Sequence, residues 1–400
     1  MRKLAVGALA LLICTVLLFG LSGAVIAGTA PEYKLSVGDE NYTEKITGLY
    51  LVKEAARYDS TVTIYGSSEL RTYNISTHPA NFFSGLREGI QVNLVGRGSC
   101  QSIIHAMSIA ASGDSLAGKK VVLITSPQSF VYGGIAPDLF MANFSEQQYL
   151  ELMLDDTVSD GIKDYISKRI TELSGEYEAI TGKKGVGAVA ETMARGRISS
   201  GFLAETGELF FSPLYNFSSF LLNQKDRVQA GRVISSAPDA DMSVLSADKI
   251  DWEKEEEKAV EDAARMTSNN GFGILDDYYT TYIGRRLEAQ KDKDRELSYS
   301  VSEEYDDLRL LLEVCKLKGI EPLFVHVPLH GSWSDYTGFA AEKREEYYSN
   351  VRDIVTGYGV DILDLTGYEY EEYFLCDIMH LGWKGWLEVD KAIIEYHRKG

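Results

Sequence analysis

Short, nearly uninterrupted apolar and β-branched runs recur at Thr61–Tyr65, Ile90–Val95, Lys120–Thr125, Pro322–Val327 and Val360–Leu365, each bounded by turn-forming residues. A strand with one face in water alternates polar and apolar positions, so continuous runs of this length predict strands covered on both faces. Helical periodicity fills the intervals between or after them, at Ser99–Ser112, Ser302–Lys318, Ala340–Tyr358 and Trp383–Arg398. The second of these is the sharpest. Tyr305, Leu308, Leu311, Leu312 and Cys315 form one stripe, and Gly319 follows as a stop. Strands alternating with helices in this way predict an α/β fold of three layers, αβα, around a parallel sheet.

The alternation lapses between about residues 140 and 299, where Glu146–Ser174 and the run WEKEEEKAVEDAARM from Trp252 are charged and helix-forming. About 160 unstructured residues inside a compact domain would be improbable, so this region reads as a large helical insertion beside the sheet. The chain then divides into residues 1–31 and one domain over 32–400, with the insertion inside it.

At the N-terminus, Arg2 and Lys3 precede an uncharged stretch from Leu4 to Pro31, rich in Leu, Ala and Val. A cleaved signal peptide would suit the small residues at Ala24 and Ala27, but its apolar core usually runs only about 7–15 residues. The length favours an uncleaved, single-pass transmembrane helix. Basic residues stay on the cytoplasmic side, which puts the N-terminus inside and residues 32–400 outside. Ile13 before Cys14 argues against lipidation, because lipoprotein processing wants a small residue there.

The chain's formal charge is −19, and without Arg2 and Lys3 about −21 remains for the rest. Neutralising nucleic-acid phosphates needs a basic footprint, so a nucleic-acid partner is not expected. Beyond the apolar segment lie Cys100, Cys315 and Cys376, none at CxxC spacing. They allow at most one disulfide, and no metal or cofactor is called for.

Candidate chemistry begins at YGSSEL, residues 65–70, just past the first strand. Ligands of open parallel sheets bind beyond the carboxyl ends of the strands, so a reacting Ser68 would be well placed there. Taken alone, the same serines far more readily cap the following helix, with Glu69 in its first turn, so the chemical reading needs a base from elsewhere. A base is available far down the chain in CDIMHLGWKGW, where Asp377 and His380 stand three residues apart. A carboxylate at that spacing can hold an imidazole in one tautomer, and the imidazole can activate a hydroxyl. Donors for an oxyanion could come from Gly96 and Gly98 in VNLVGRGSCQS or from the Gln128 amide in ITSPQSF.

Ser68 in GSSEL, the Gly-rich turn after Val95 and the terminal DxxH resemble the first, second and last blocks of the SGNH, or GDSL-type, hydrolase superfamily. Within it the chain resembles the DltD family of D-alanyl-lipoteichoic acid biosynthesis proteins. HPANFF from His78, GRGSCQSIIH from Gly96, SPQSF from Ser126, NNGFG from Asn269, SEEYDDL from Ser302, WSDYTG from Trp333 and DIMHLGWKGW from Asp377 carry that resemblance. It implies Ser68 as nucleophile, Ser67 as a spectator, and Asp377 and His380 in their usual roles. Trp333 and Tyr336 join Gly96, Gly98 and Gln128 as candidates for oxyanion or substrate contact. The chain departs from the superfamily at Ser126-Pro127-Gln128, where an oxyanion Asn is common, and from closer relatives at PLHGSW, which leaves the role of His330 open.

The implied activity is transfer of D-alanine to lipoteichoic or teichoic acid at the outer face of a Gram-positive cell membrane. The implied partners are a D-alanyl donor, the polymer, a membrane O-acyltransferase and other proteins of the pathway. An extracytoplasmic esterase or thioesterase, and a noncatalytic adaptor for a D-alanyl carrier protein and the O-acyltransferase, are the alternatives. In the transferase reading the helices of 140–299 would flank the carboxyl edge of the sheet and shield Ser68 from water.

Overall fold

Alternate residues of the central strands look to opposite faces of one sheet, and both faces are covered. The computed structural model describes residues 31–72, 74–199, 202–239 and 250–399. The apolar segment read as an anchor, with Cys14, lies outside the described residues, apart from Pro31. Among the described residues no helix is long and apolar enough to cross a membrane.

Strands β1 (Thr61–Tyr65), β2 (Gln91–Val95), β3 (Lys120–Thr125), β4 (Leu323–His326) and β5 (Asp361–Asp364) pair in parallel throughout, in the order β2-β1-β3-β4-β5. Their positions match the five apolar runs. Ile64 stands opposite Leu94 on one side and Val122 on the other, so β1 is interior. β5 departs from the expectation of full cover, because it is the sheet edge and Asp361 and Asp364 are exposed. At the other edge β2 is buried throughout, and its Leu94 amide donates to the Gly38 carbonyl of the N-terminal segment.

The α-helices of five or more residues among the described residues are, in chain order, α1 (Thr43–Thr47), α2 (Tyr50–Ala55), α3 (Ser102–Ala111), α4 (Pro137–Asn143), α5 (Glu146–Leu154), α6 (Asp160–Thr181), α7 (Ala188–Ile198), α8 (Phe202–Ser236), α9 (Trp252–Met266), α10 (Glu304–Leu317), α11 (Gly331–Thr337), α12 (Ala341–Gly357) and α13 (Trp383–Arg398). Val121, Leu123 and Phe324 meet α3, α10 and α12 on one face. Val122, Ile124 and Val325 meet α13 on the other, which completes three layers.

The helices of 140–299 divide between the two faces of the sheet. Phe140 of α4, Tyr149 of α5, Ile166 of α6 and Met193 of α7 join the α3/α10 core, whereas Ala259 and Ala263 of α9 join the α13 core. Buried polar ties fix the first group. The Arg169 guanidinium of α6 donates to Asp307 of α10 at 3.0 Å, and Asp226 of α8 accepts from the amides of Leu49 and Tyr50 at 2.8 and 2.9 Å. Glu146–Ser174, one charged run in the sequence, is broken at Asp155–Ser159, where the Ser159 hydroxyl caps α6.

Candidate active site

The order β2-β1-β3-β4-β5 changes direction between β1 and β3, and crevices of doubly wound sheets open at such a point. YGSSEL leaves β1 there. Ser67 occupies the N-cap position of the short 3-10 turn Ser68–Arg71, yet its side chain makes no cap hydrogen bond. Instead its Oγ accepts from the Ser99 amide at 3.0 Å and reaches the Arg97 carbonyl at 3.4 Å, so Ser67 ties the glycine loop to the end of β1.

Ser68 Oγ lies 2.7 Å from Nε2 of His380, and Nδ1 of His380 lies 2.7 Å from Oδ2 of Asp377. A carboxylate facing Nδ1 holds the proton on that nitrogen, leaving the Nε2 lone pair for the serine O–H. The other oxygen, Oδ1 of Asp377, accepts from the amides of Met379 and His380, both at 2.9 Å, which fixes the carboxylate against rotation. The loop itself is closed by the Leu375–Leu381 bridge and by the Cys376 amide on the His380 carbonyl at 2.9 Å. Behind it Trp383 and Trp386 are fully buried and seat α13 on the sheet. Removing one such indole would cost roughly 3–5 kcal/mol.

Two backbone amides beside the serine are unspent. Neither Ser68 nor Gly98 has an acceptor for its N–H among the described residues, and a Cβ on Gly98 would stand 4.0 Å from that of Ser68. Gly96 differs from the expectation. Its N–H donates to Asn41 Oδ1 at 3.3 Å, so it is not a free donor. Its φ of 153° and the 1.8 Å that would separate a Cβ from the Gly66 carbonyl show a different role, close passage of two loops. Gly96→Ala should therefore lower stability by more than about 2 kcal/mol in urea unfolding, because the clash is with backbone that has nowhere to move.

Gln128 lies in the 3-10 turn Pro127–Phe130, half-buried, with its amide making no hydrogen bond among the described residues. Trp333 and Tyr336 do not stand alone in a cleft. Trp333 is buried against Phe272 and Ile274, and Tyr336 donates to the Leu287 carbonyl at 3.0 Å. Ile378, between the site loop's Asp377 and Met379, packs on the same cluster. His330 caps α11 by accepting the Trp333 amide at Nδ1, and its Nε2–H donates to the Phe272 carbonyl at 2.9 Å. It thus ties PLHGSW to NNGFG, and Leu275 beyond that loop donates to the Cys376 carbonyl beside Asp377. The three cysteines beyond the apolar segment are buried, free thiols.

One site residue was passed over in the sequence. Glu69, which reads there as a first-turn acid, is buried, accepts from the Ser67 amide at 2.6 Å and receives the Ser126 hydroxyl at 2.9 Å. Its charge also reaches His380. Burial alone would pull that imidazole's pKa down, but the Asp377 hydrogen bond and charge, with Glu69 behind them, outweigh burial and hold it above its ordinary 6.5. Only the neutral imidazole can take a proton, so activity should fall as pH drops through this raised value. Glu69→Gln removes one of the raising charges, and the acid limb of the pH–rate profile should shift to lower pH. An unmoved limb would sever Glu69 from His380.

A parallel α/β sheet with a Ser–His–Asp hydrogen-bonded chain at its switch point defines the class. Residues 39–398 match the DltD protein family, and the chain belongs to it. Similar proteins are Protein DltD of Bacillus subtilis strain 168, 34% identical over 88% of this chain and 86% of its own length, and Protein DltD of Staphylococcus aureus strain NCTC 8325 / PS 47, 28% identical over 84% and 81%. Protein DltD of Lacticaseibacillus rhamnosus is 26% identical over 86% and 78%. Membership assigns the chain to D-alanylation of lipoteichoic acid, as the resemblance implied.

Proposed function

We propose that the chain is an SGNH-type acyltransferase in which Ser68 carries the D-alanyl group on its way to a polymer hydroxyl. The observation that carries this reading is the pair of 2.7 Å hydrogen bonds running from Ser68 through His380 to Asp377. Ser68 Oγ attacks the carbonyl carbon of an activated D-alanyl ester, and its proton passes to Nε2 of His380. The free N–H groups of Ser68 and Gly98 suit the oxyanion, and the Gln128 amide is a third candidate donor. His380 returns the proton to the leaving group as the tetrahedral adduct collapses to a seryl ester. A teichoic-acid hydroxyl then repeats the sequence in reverse, giving its proton to His380 and taking the acyl group.

The uncharged stretch from Leu4 to Pro31 supports a single-pass anchor with Arg2 and Lys3 inside and the α/β domain outside. There it would meet the lipid-linked polymer, with a membrane O-acyltransferase among its partners. Protease added to intact protoplasts should remove the domain and leave a short N-terminal fragment in the membrane. A soluble domain beginning near Gly28 would instead indicate cleavage.

The decisive chemical experiment supplies an activated D-alanyl donor and looks by mass spectrometry for an ester on the Ser68 peptide, then adds teichoic acid. Loss of the ester to polymer supports the transferase. Equally fast loss in buffer alone identifies an esterase, and absence of any ester in an otherwise competent system identifies an adaptor.

A further inference from the structure

Helix α8 has two apolar faces. Tyr215, Ala230, Val233 and Ile234 are on the side buried against the rest of the protein. Roughly opposite, at about 100° per residue, Leu214, Leu221 and Val228 recur every seven positions and are exposed by 44%, 45% and 39%. A surface helix ordinarily turns polar side chains outward, so this stripe is out of place on a domain bathed by water. Lys225 and Arg232, both exposed, lie along it. Residues 183–236 carry seven Lys or Arg against four Asp or Glu, in a chain whose total is −19.

On its buried side, the helix that carries the stripe meets the residues that follow the apolar N-terminal segment. Tyr33 and Val37 pack on Ala230, Val233, Ile234 and Ala237, and Nζ of Lys34 donates to the Ala237 carbonyl at 2.8 Å. A Cβ on Gly231 would lie 3.6 Å from Cδ of Pro31. The last turns of α8 are therefore fixed to the residues that follow the apolar segment.

We infer that this face of α8 lies on the bilayer surface, with Leu214, Leu221 and Val228 at the boundary of headgroups and acyl chains and Lys225 and Arg232 at anionic phosphates. The inference rests on reading residues 4–31 as the anchor, since that segment would bring the end of α8 to the membrane. From Leu214 to Val228 the stripe spans about 21 Å of helix, long enough to set the domain's orientation and not merely its attachment. Asp226, on the buried side, clamps α1 and α2 through the Leu49 and Tyr50 amides, and Arg97 of the glycine loop contacts Thr43 of α1. The bilayer contact would thus orient the loop that adjoins Ser68.

The test uses the full chain with Cys14→Ser, labelled with the fluorophore NBD at Leu221→Cys or, as a control, at Val301→Cys, an exposed loop position before α10. Each is reconstituted into vesicles of phosphatidylglycerol and phosphatidylcholine, with unchanged thermal unfolding required of both. The expected result is a blue-shifted Leu221 probe that loses at least half its emission to a quencher carried on the lipid, while the Val301 probe answers only to aqueous iodide. A chain that floats with the vesicles but leaves the Leu221 probe open to iodide and deaf to the lipid quencher overturns the docking and spares the anchor. A shielded probe insensitive to lipid, in a vesicle-bound dimer, gives the face to a second copy and also overturns it. A chain that does not float with vesicles removes anchor and docking together.

Discussion

Ser68→Ala should reduce D-alanyl transfer by about a thousandfold or more while the protein stays folded. Among the described residues the removed hydroxyl makes one hydrogen bond, to His380 Nε2, and caps no helix, so the expected stability change is about 1 kcal/mol. His380→Ala should produce a loss of similar size, because a serine without its base is barely nucleophilic. The double variant should be little worse than either alone, since both remove one unit of chemistry. Transfer from an activated donor to teichoic acid, followed as polymer-bound D-alanine, reads all three. Losses that multiplied in the double variant would mean that the two side chains act in separate steps.

A loss of stability as large as that of a buried indole is expected at Arg344. Its guanidinium is buried within α12 and holds Glu369 with Nε and a second nitrogen at 3.0 and 3.2 Å. It also donates to Asp335 of α11 at 3.1 Å, to the Phe339 carbonyl at 2.6 Å and to the Tyr370 hydroxyl at 2.9 Å. Tyr348 donates to Glu369 at 2.6 Å, and the Gly331 amide donates to the Glu369 carbonyl at 2.7 Å. One cation therefore gathers α11, α12 and the segment leading to the Asp377 loop. Arg344→Met should cost roughly 3–5 kcal/mol in urea unfolding, because it strands a largely buried carboxylate. Adding Glu369→Leu should restore much of that loss, since an apolar pair replaces an ion pair more cheaply than a lone charge can be tolerated. A single variant as stable as the parent would show the network to be ornamental.

Periodicity made the sheet and its covering helices legible. Trp383–Arg398 is read from the sequence with the same ends that it has in the structure, and β1 and β3 likewise. Local patterns record which side of an element meets apolar surroundings, and these elements bury one consistent face or two. The division of α4–α9 between two faces of the sheet was not legible, because amphipathic helices advertise a face and not its partner. Ser68, Asp377 and His380 could be picked out because their types and spacing suit one reaction. Glu69 and Ser67 could not, since their roles depend on Ser126, Arg97 and Ser99, which other strands bring to them. A glycine after a strand, as at Gly96, announces a close approach without saying whether a ligand or Gly66 is the thing approached.

The distance in sequence between the two halves of the Ser68–His380 hydrogen bond has a bearing on how the protein is made. A ribosome that has delivered the serine must add 312 more residues before the imidazole exists, which at roughly 5–20 residues per second takes about 15–60 s. Throughout that interval the growing polypeptide holds an ordinary alcohol, inert towards any activated ester it meets. Under the chemistry proposed above, synthesis itself is the timer: acyl capture is switched on only by finished chains, and every fragment ending before His380 is a silent one.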